Sequence, residues 1–144
     1  MHRPHPVNDD TLVPTFKAGK VTVLEERSQL DDMLSFEGDD ICIFTFSTTI
    51  DDDLNRMVID MFANLAAEVR KNTKRLKFVA YDLNTLGPHD SLEISHPSVF
   101  LSPGNQRDKK PRIFRGDSGA ETIAEWLKTH SSNQFKMKTK NLDM

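Results

Sequence analysis

Ile41 to Phe46 (ICIFTF) is almost wholly apolar, whereas Ser47 to Asp53 (STTIDDD) is hydroxylated or acidic except at Ile50. An apolar run without alternation predicts a central strand covered on both faces of its sheet. From there the apolar residues fall at Leu54, Met57, Val58, Met61, Phe62, Leu65 and Val69. Steps of three and four predict a long amphipathic helix that ends near Lys71 or Asn72. Lys and Arg crowd its C-terminal end, where the macrodipole favours cations.

The same pattern places the other elements. Lys20–Leu24 (KVTVL) reads as a short strand. Leu30, Met33 and Leu34 mark a helix with Ser28 as candidate cap and Gly38 as its stop. Arg75–Leu83 is the next strand, and Gly87–Ile94 a turn with one short helix. Pro97–Leu101 and Pro111–Gly116 are strands on either side of a polar hairpin loop. Ile123, Trp126 and Leu127 give the stripe of a final helix over Ser118–His130. Residues 1–19, with Pro4, Pro6 and Pro14, read as a linker or N-terminal arm. Residues 20–131 form one domain, and 132–144, lacking a helical period, read as a disordered C-terminal tail. The order is β-α-β-α-β-α-β-β-α. It predicts an α/β protein in which crossover units precede a closing hairpin and helix.

Composition narrows the function. The chain of 144 residues is 37% hydrophobic and 28% charged, with a formal net charge of −3, which suits a globular domain with its own core. The slight acidity argues against nucleic acid as a partner, since neutralising phosphates needs a basic excess. No apolar run is long enough for membrane insertion, and the N-terminus has no apolar signal-peptide region. Cys42 is the single cysteine, so the chain has neither an internal disulfide nor a zinc cluster of thiolates.

Three stretches together resemble a known family. DDICIFTFSTTI is similar to the central strand of a thioredoxin-like domain of the protein disulfide isomerase family, leading to its redox corner. EISHPSVFLSPGNQRDKKPRIFRGD resembles that family's segment of cis-proline strand, loop, strand and closing glycine. AETIAEWLKTHSS resembles its last helix. The resemblance covers about residues 20–131 and implies the thioredoxin fold, a mixed β-sheet flanked by helices. It also shows a departure. The family's redox modules carry Cys-x-x-Cys at the first turn of the long helix, which falls here within Ile50–Asn55, where no cysteine stands. Thr45 stands where the family has a buried acid, Ala80 where it has a lysine, and Ser118 near where it has an arginine. Exchange with a disulfide requires a thiolate, and the carboxylates of Asp51, Asp52 and Asp53 cannot replace it.

Each remaining candidate has an ordinary reading beside the functional one. Asp51–Asp53 can be a cation or docking site, but acids in the first turn of a helix are usual caps. A calcium loop needs more widely spaced oxygen ligands. Pro97 is an edge-strand proline or, as the resemblance implies, the cis-proline that leaves Ser95 and His96 free to pair with an extended peptide. His96 is a solvated turn histidine or a partner contact. Ser47 lacks the GxSxG elbow of a hydrolase nucleophile. Cys42, inside a strand, reads as a small buried hydrophobe. The loop Gln106–Arg112 is a solvated hairpin tip or a contact for an acidic partner.

These observations point away from an enzyme: no catalytic, metal or cofactor residue is assigned. The expectation is a redox-inactive domain of a disulfide-isomerase-like protein. It would bind protein or unfolded polypeptide through Thr49, Ile50, Asp51, Ser95, His96 and Pro97, as part of a longer multidomain chain. The resemblance implies the endoplasmic reticulum lumen, although the C-terminal NLDM is no retrieval signal. The alternative is a cytoplasmic thioredoxin-fold adaptor resembling the phosducin-like proteins. A single-cysteine redox mechanism would need a thiol at the helix N-terminus, and calcium buffering would need a far more acidic chain.

Overall fold

The central strand β2 (Asp40–Phe46) is buried at all seven positions. The computed structural model to which it belongs describes residues 16–17, 19–47, 53–92, 98–116, 119–140 and 142. Around β2 lie β1 (Val21–Val23), α1 (Arg27–Leu34), α2 (Asp53–Arg70), β3 (Leu76–Asp82), α3 (Leu83–Leu86), β4 (Ser98–Ser102), β5 (Arg112–Ile113) and α4 (Ala120–His130). The strands form one sheet in the order β1-β3-β2-β4-β5. β1, β3 and β2 are parallel, and β4 and β5 continue the sheet antiparallel.

Side chains alternate across this sheet, so two cores form. Cys42, Phe44 and Phe46 of β2, Leu76, Phe78 and Ala80 of β3, and Val99 and Leu101 of β4 meet α2 and α4 on one face. Ile41 and Ile43, Val79 and Tyr81, and Phe100 meet Leu30 of α1 and Leu83 of α3 on the other. The first core is aromatic at its centre. Phe62 of α2 stacks on Phe44 with ring centroids 4.7 Å apart, and Phe44 on Phe46 at 5.9 Å.

Several local expectations are corrected. α1 starts after Glu26 rather than at Ser28, because Gln29 Oε1 accepts from the backbone N–H groups of Glu25 and Glu26 and closes the first turn. The short helix precedes Gly87 instead of following it. Asp82 caps it by accepting from Asn84 N, and Gly87, at φ 76°, ends it. Met57 faces water, 65% exposed, rather than the core. β5 is shorter than Pro111–Gly116, pairing only Arg112 and Ile113 with β4.

The described parts of the two flanking segments pack onto the domain. Phe16 is fully buried, with its ring 5.5 Å from that of Phe46. Gly19 lies so close to the Ala63 carbonyl of α2 that a Cβ would collide with it. Beyond α4, Phe135 is 8% exposed and joins the first core, with Met137 and Leu142 packed against it. The anchor of this return is Asp40, itself fully buried. Its Oδ1 accepts from Gly104 N at 2.6 Å and from the Ser132 backbone and hydroxyl; its Oδ2 accepts from Asn133 N at 2.9 Å. One buried carboxylate thus joins the start of β2, the β4–β5 loop and the segment after α4.

Candidate functional site

The site predicted from the sequence lies beyond the C-terminal end of β2. Thr49, Ile50, Asp51, Ser95, His96 and Pro97 all fall outside the described residues, as do Asp52 and Ser118. What the structure describes is the frame that carries them. β2 and β4 are neighbours, and Thr45 is the register partner of Ser98. The chain therefore leaves β2 at Ser47 beside the point where it enters β4, immediately after Pro97. Thr45 locks this junction: its hydroxyl accepts from Ser98 N at 2.7 Å and donates to Ser98 O at 3.2 Å. α2 then begins at Asp53. The C-terminal end of β2 and the N-terminal end of β4 thus lie together at one end of the sheet.

Cys42 is fully buried in the middle of β2, with Phe78 and Leu101 as register partners. Burial pushes its thiol well above the usual range, so a thiolate is suppressed where a nucleophile would require one. Four residues of β2 separate it from the corner. Thr45 brings a hydroxyl, and Ala80, fully buried, brings no proton-transferring group. Asp82 is the register partner of Phe46 and is 8% exposed. Its Oδ1 accepts from Asn84 N and its Oδ2 from the Thr85 hydroxyl, so the carboxylate is held in the cap of α3.

Two features escaped the sequence. Met57, one turn into α2, offers an exposed, flexible apolar side chain close to the corner. Its place in a run of three- and four-residue steps suggested core, and nothing local marks it as outward. His89 is buried on the opposite face of the sheet, edge-on to Tyr81. Its Nδ1 accepts from Ser91 N, so in the neutral ring Nε2 carries the proton and donates to Asp31 Oδ1 at 2.8 Å. Both ring nitrogens are engaged, which makes this pair a tie between α1 and the turn after α3 rather than a general base. Among the described residues no group of three or more His, Cys, Asp or Glu side chains could hold a metal ion. No helix there is long and apolar enough to cross a membrane.

No protein-family model and no curated protein matches the chain. Solved structures do. The J-Trx1 fragment of ERdj5 is 17% identical, with a TM-score of 0.61 over 79% of this chain and 53% of that one. Zinc-bound human ERp44 is 14% identical, with a TM-score of 0.57 over 76% of this chain and 30% of that one. A redox protein from Chlamydomonas reinhardtii is 15% identical, with a TM-score of 0.59 over 83% and 38%. The fold is the thioredoxin fold. At these identities the likeness is one of architecture. The chain spans about half the length of the ERdj5 fragment and less of the others. The candidate residues follow β2 and precede β4 in the sequence, outside the described residues.

Proposed function

We propose that this chain is a redox-inactive thioredoxin-like domain that binds polypeptide at the corner between β2, α2 and β4. The observation that carries this reading is the position of the single cysteine, in the centre of β2 and fully buried. With no other cysteine in the chain, the corner has no sulfur with which to exchange a disulfide. What remains there suits recognition. Met57 supplies exposed apolar surface, and Ile50 adds another apolar residue at the corner. By the family resemblance, the backbone of Ser95 and His96, before Pro97, would supply strand-like hydrogen bonds to an extended client.

The likeness to ERdj5 and ERp44 supports the endoplasmic reticulum lumen as its compartment, and their greater length supports a module within a longer chain.

Chemical-shift mapping with reduced, carboxymethylated α-lactalbumin as the unfolded client tests the reading. Perturbations are expected at Ile50, Met57 and His96. Perturbations confined to α4 or to the loop Gln106–Arg112 would place the interface elsewhere and overturn it.

A further inference from the structure

After α4 the chain turns at the Asp40 anchor and runs back along the helix. The Met137 carbonyl accepts from Lys128 Nζ at 3.2 Å, and the Thr139 hydroxyl donates to Glu125. Along this return, exposure alternates. Phe135 and Thr139 are buried and Met137 is half-buried, while Lys136, Lys138 and Lys140 are exposed. A period of two is that of extended chain. Alternate residues then lie about 6.6 Å apart, so the three lysines stand in one outward row.

Two further observations make this row more than a solvated face. First, its charge is uncompensated. Between Trp126 and Leu142 the chain has four lysines and no Asp or Glu. Lys128 is engaged with Glu125 and Met137, and Glu125 with Thr139, while Lys136, Lys138 and Lys140 form no ion pair among the described residues. Second, the backbone is open. Among the described residues, the only backbone–backbone hydrogen bond that reaches residues 134–140 is Leu142 N to the Thr139 carbonyl. Their N–H groups have no acceptor among the described residues. An extended segment with unpaired backbone is a template for another strand. Lysines along such an edge repel a second copy of it, which removes self-pairing as the occupant.

We propose that residues 134–140 are a docking edge for an extended acidic segment of a partner polypeptide, with Asp or Glu at alternate positions. The partner's backbone pairs with the open N–H and C=O groups, and its carboxylates fall opposite Lys136, Lys138 and Lys140, as cross-strand neighbours do. The open backbone favours a peptide over an anionic membrane, because a headgroup layer would use the lysines and leave the edge unpaired. This surface is separate from the β2 corner and does not depend on it.

The test uses fluorescence anisotropy with a labelled peptide of alternating glutamate and threonine. Two controls accompany it: a peptide of the same composition with its glutamates in one block, and a lysine–threonine repeat. The alternating peptide is expected to bind, more weakly as salt rises, and to slow amide exchange at Lys136 and Lys138. The triple variant K136E/K138E/K140E is expected to lose about tenfold or more in affinity, from three exposed ion pairs, and to gain affinity for the lysine–threonine repeat. Its circular dichroism should match that of the parent, since all three side chains are exposed. The variant K109E/K110E, in the hairpin loop, should bind as the parent does. Equal binding of the block peptide would overturn the proposal, as would an equal loss in K109E/K110E. Binding to phosphatidylserine vesicles with none to either acidic peptide would do so as well.

Discussion

Replacing Asp40 by alanine removes an acceptor that serves three parts of the chain. Oδ1 accepts from Gly104 N, Ser132 N and Ser132 Oγ, and Oδ2 from the Asn133 backbone and side-chain amides. The Gly104 bond is fully buried, so its N–H would stay unsatisfied at about 1–3 kcal/mol. The donors of Ser132 and Asn133 are partly accessible, and water would replace most of what they lose, leaving about 0.5–1.5 kcal/mol each. Taken per residue, these place the loss at about 2–6 kcal/mol, the cost of breaking a buried polar network. Glycine at 104 makes the arrangement possible, since a Cβ there would collide with the Gly38 carbonyl. Urea unfolding followed through the single tryptophan, Trp126, which packs edge-on to Phe114, gives the magnitude. Hydrogen exchange gives the mechanism, because the amides of Gly104 and Asn133 should lose protection first. The Asn variant keeps the shape and one acceptor, and should fall between parent and alanine. A loss below about 1 kcal/mol in the alanine variant, or a full loss with Asn133 still protected, would refute the role given to this carboxylate.

Other outcomes follow from the same contacts. Phe135→Ala should cost about 2–4 kcal/mol by urea unfolding, because a ring only 8% exposed leaves a cavity in the first core; a frayed tail would make the change almost neutral. Tyr81 is the single tyrosine, and burial raises its hydroxyl above the usual 10.0, with Arg27 opposing. The folded state therefore favours the protonated phenol. Its contribution to stability is complete below pH 10.0 and is lost as pH rises through the folded value. Absorbance at the tyrosinate band should show a midpoint above that of the unfolded chain, and coincident midpoints would contradict the burial. Asp39 shifts the opposite way: its hydrogen bond to Arg75 holds its carboxyl below the usual 3.8. Its contribution, present above that value, should fade as pH falls through the folded one, and Arg75→Ala should weaken this acid dependence, leaving the part due to Lys77.

The parts legible in the sequence were those with a local period. β2 and β3 could be read from continuous apolar runs, and α2 and α4 from their three- and four-residue steps, because burial on one face or two imposes those spacings. What escaped depended on partners distant in sequence. Asp40 looks like half of a solvated Asp39–Asp40 pair until the chain after α4 returns to it, 92 residues later. His89 and Asp31 meet across 58 residues. The return over 134–140 does have a period, but it is two, with Gln134, Lys136, Lys138 and Lys140 outward, and an extended segment outside the sheet resembles polar tail. Phe16 sits among prolines and charges, so its burial shows only once β2 and α2 are assembled. At the corner, the sequence showed the absence of a cysteine pair, and the frame added Met57 and the Thr45–Ser98 junction.

Insulin reduction driven by dithiothreitol, run beside thiol titration with dithionitrobenzoate, addresses the claim that this thioredoxin fold binds without exchanging electrons. The native protein is expected to leave insulin precipitation at the rate of dithiothreitol alone. Cys42 should be unreactive until guanidinium unfolds the chain, and then yield one equivalent of thiol. Accelerated precipitation that Cys42→Ser abolishes, with a thiol titrating in the native state, would contradict the account.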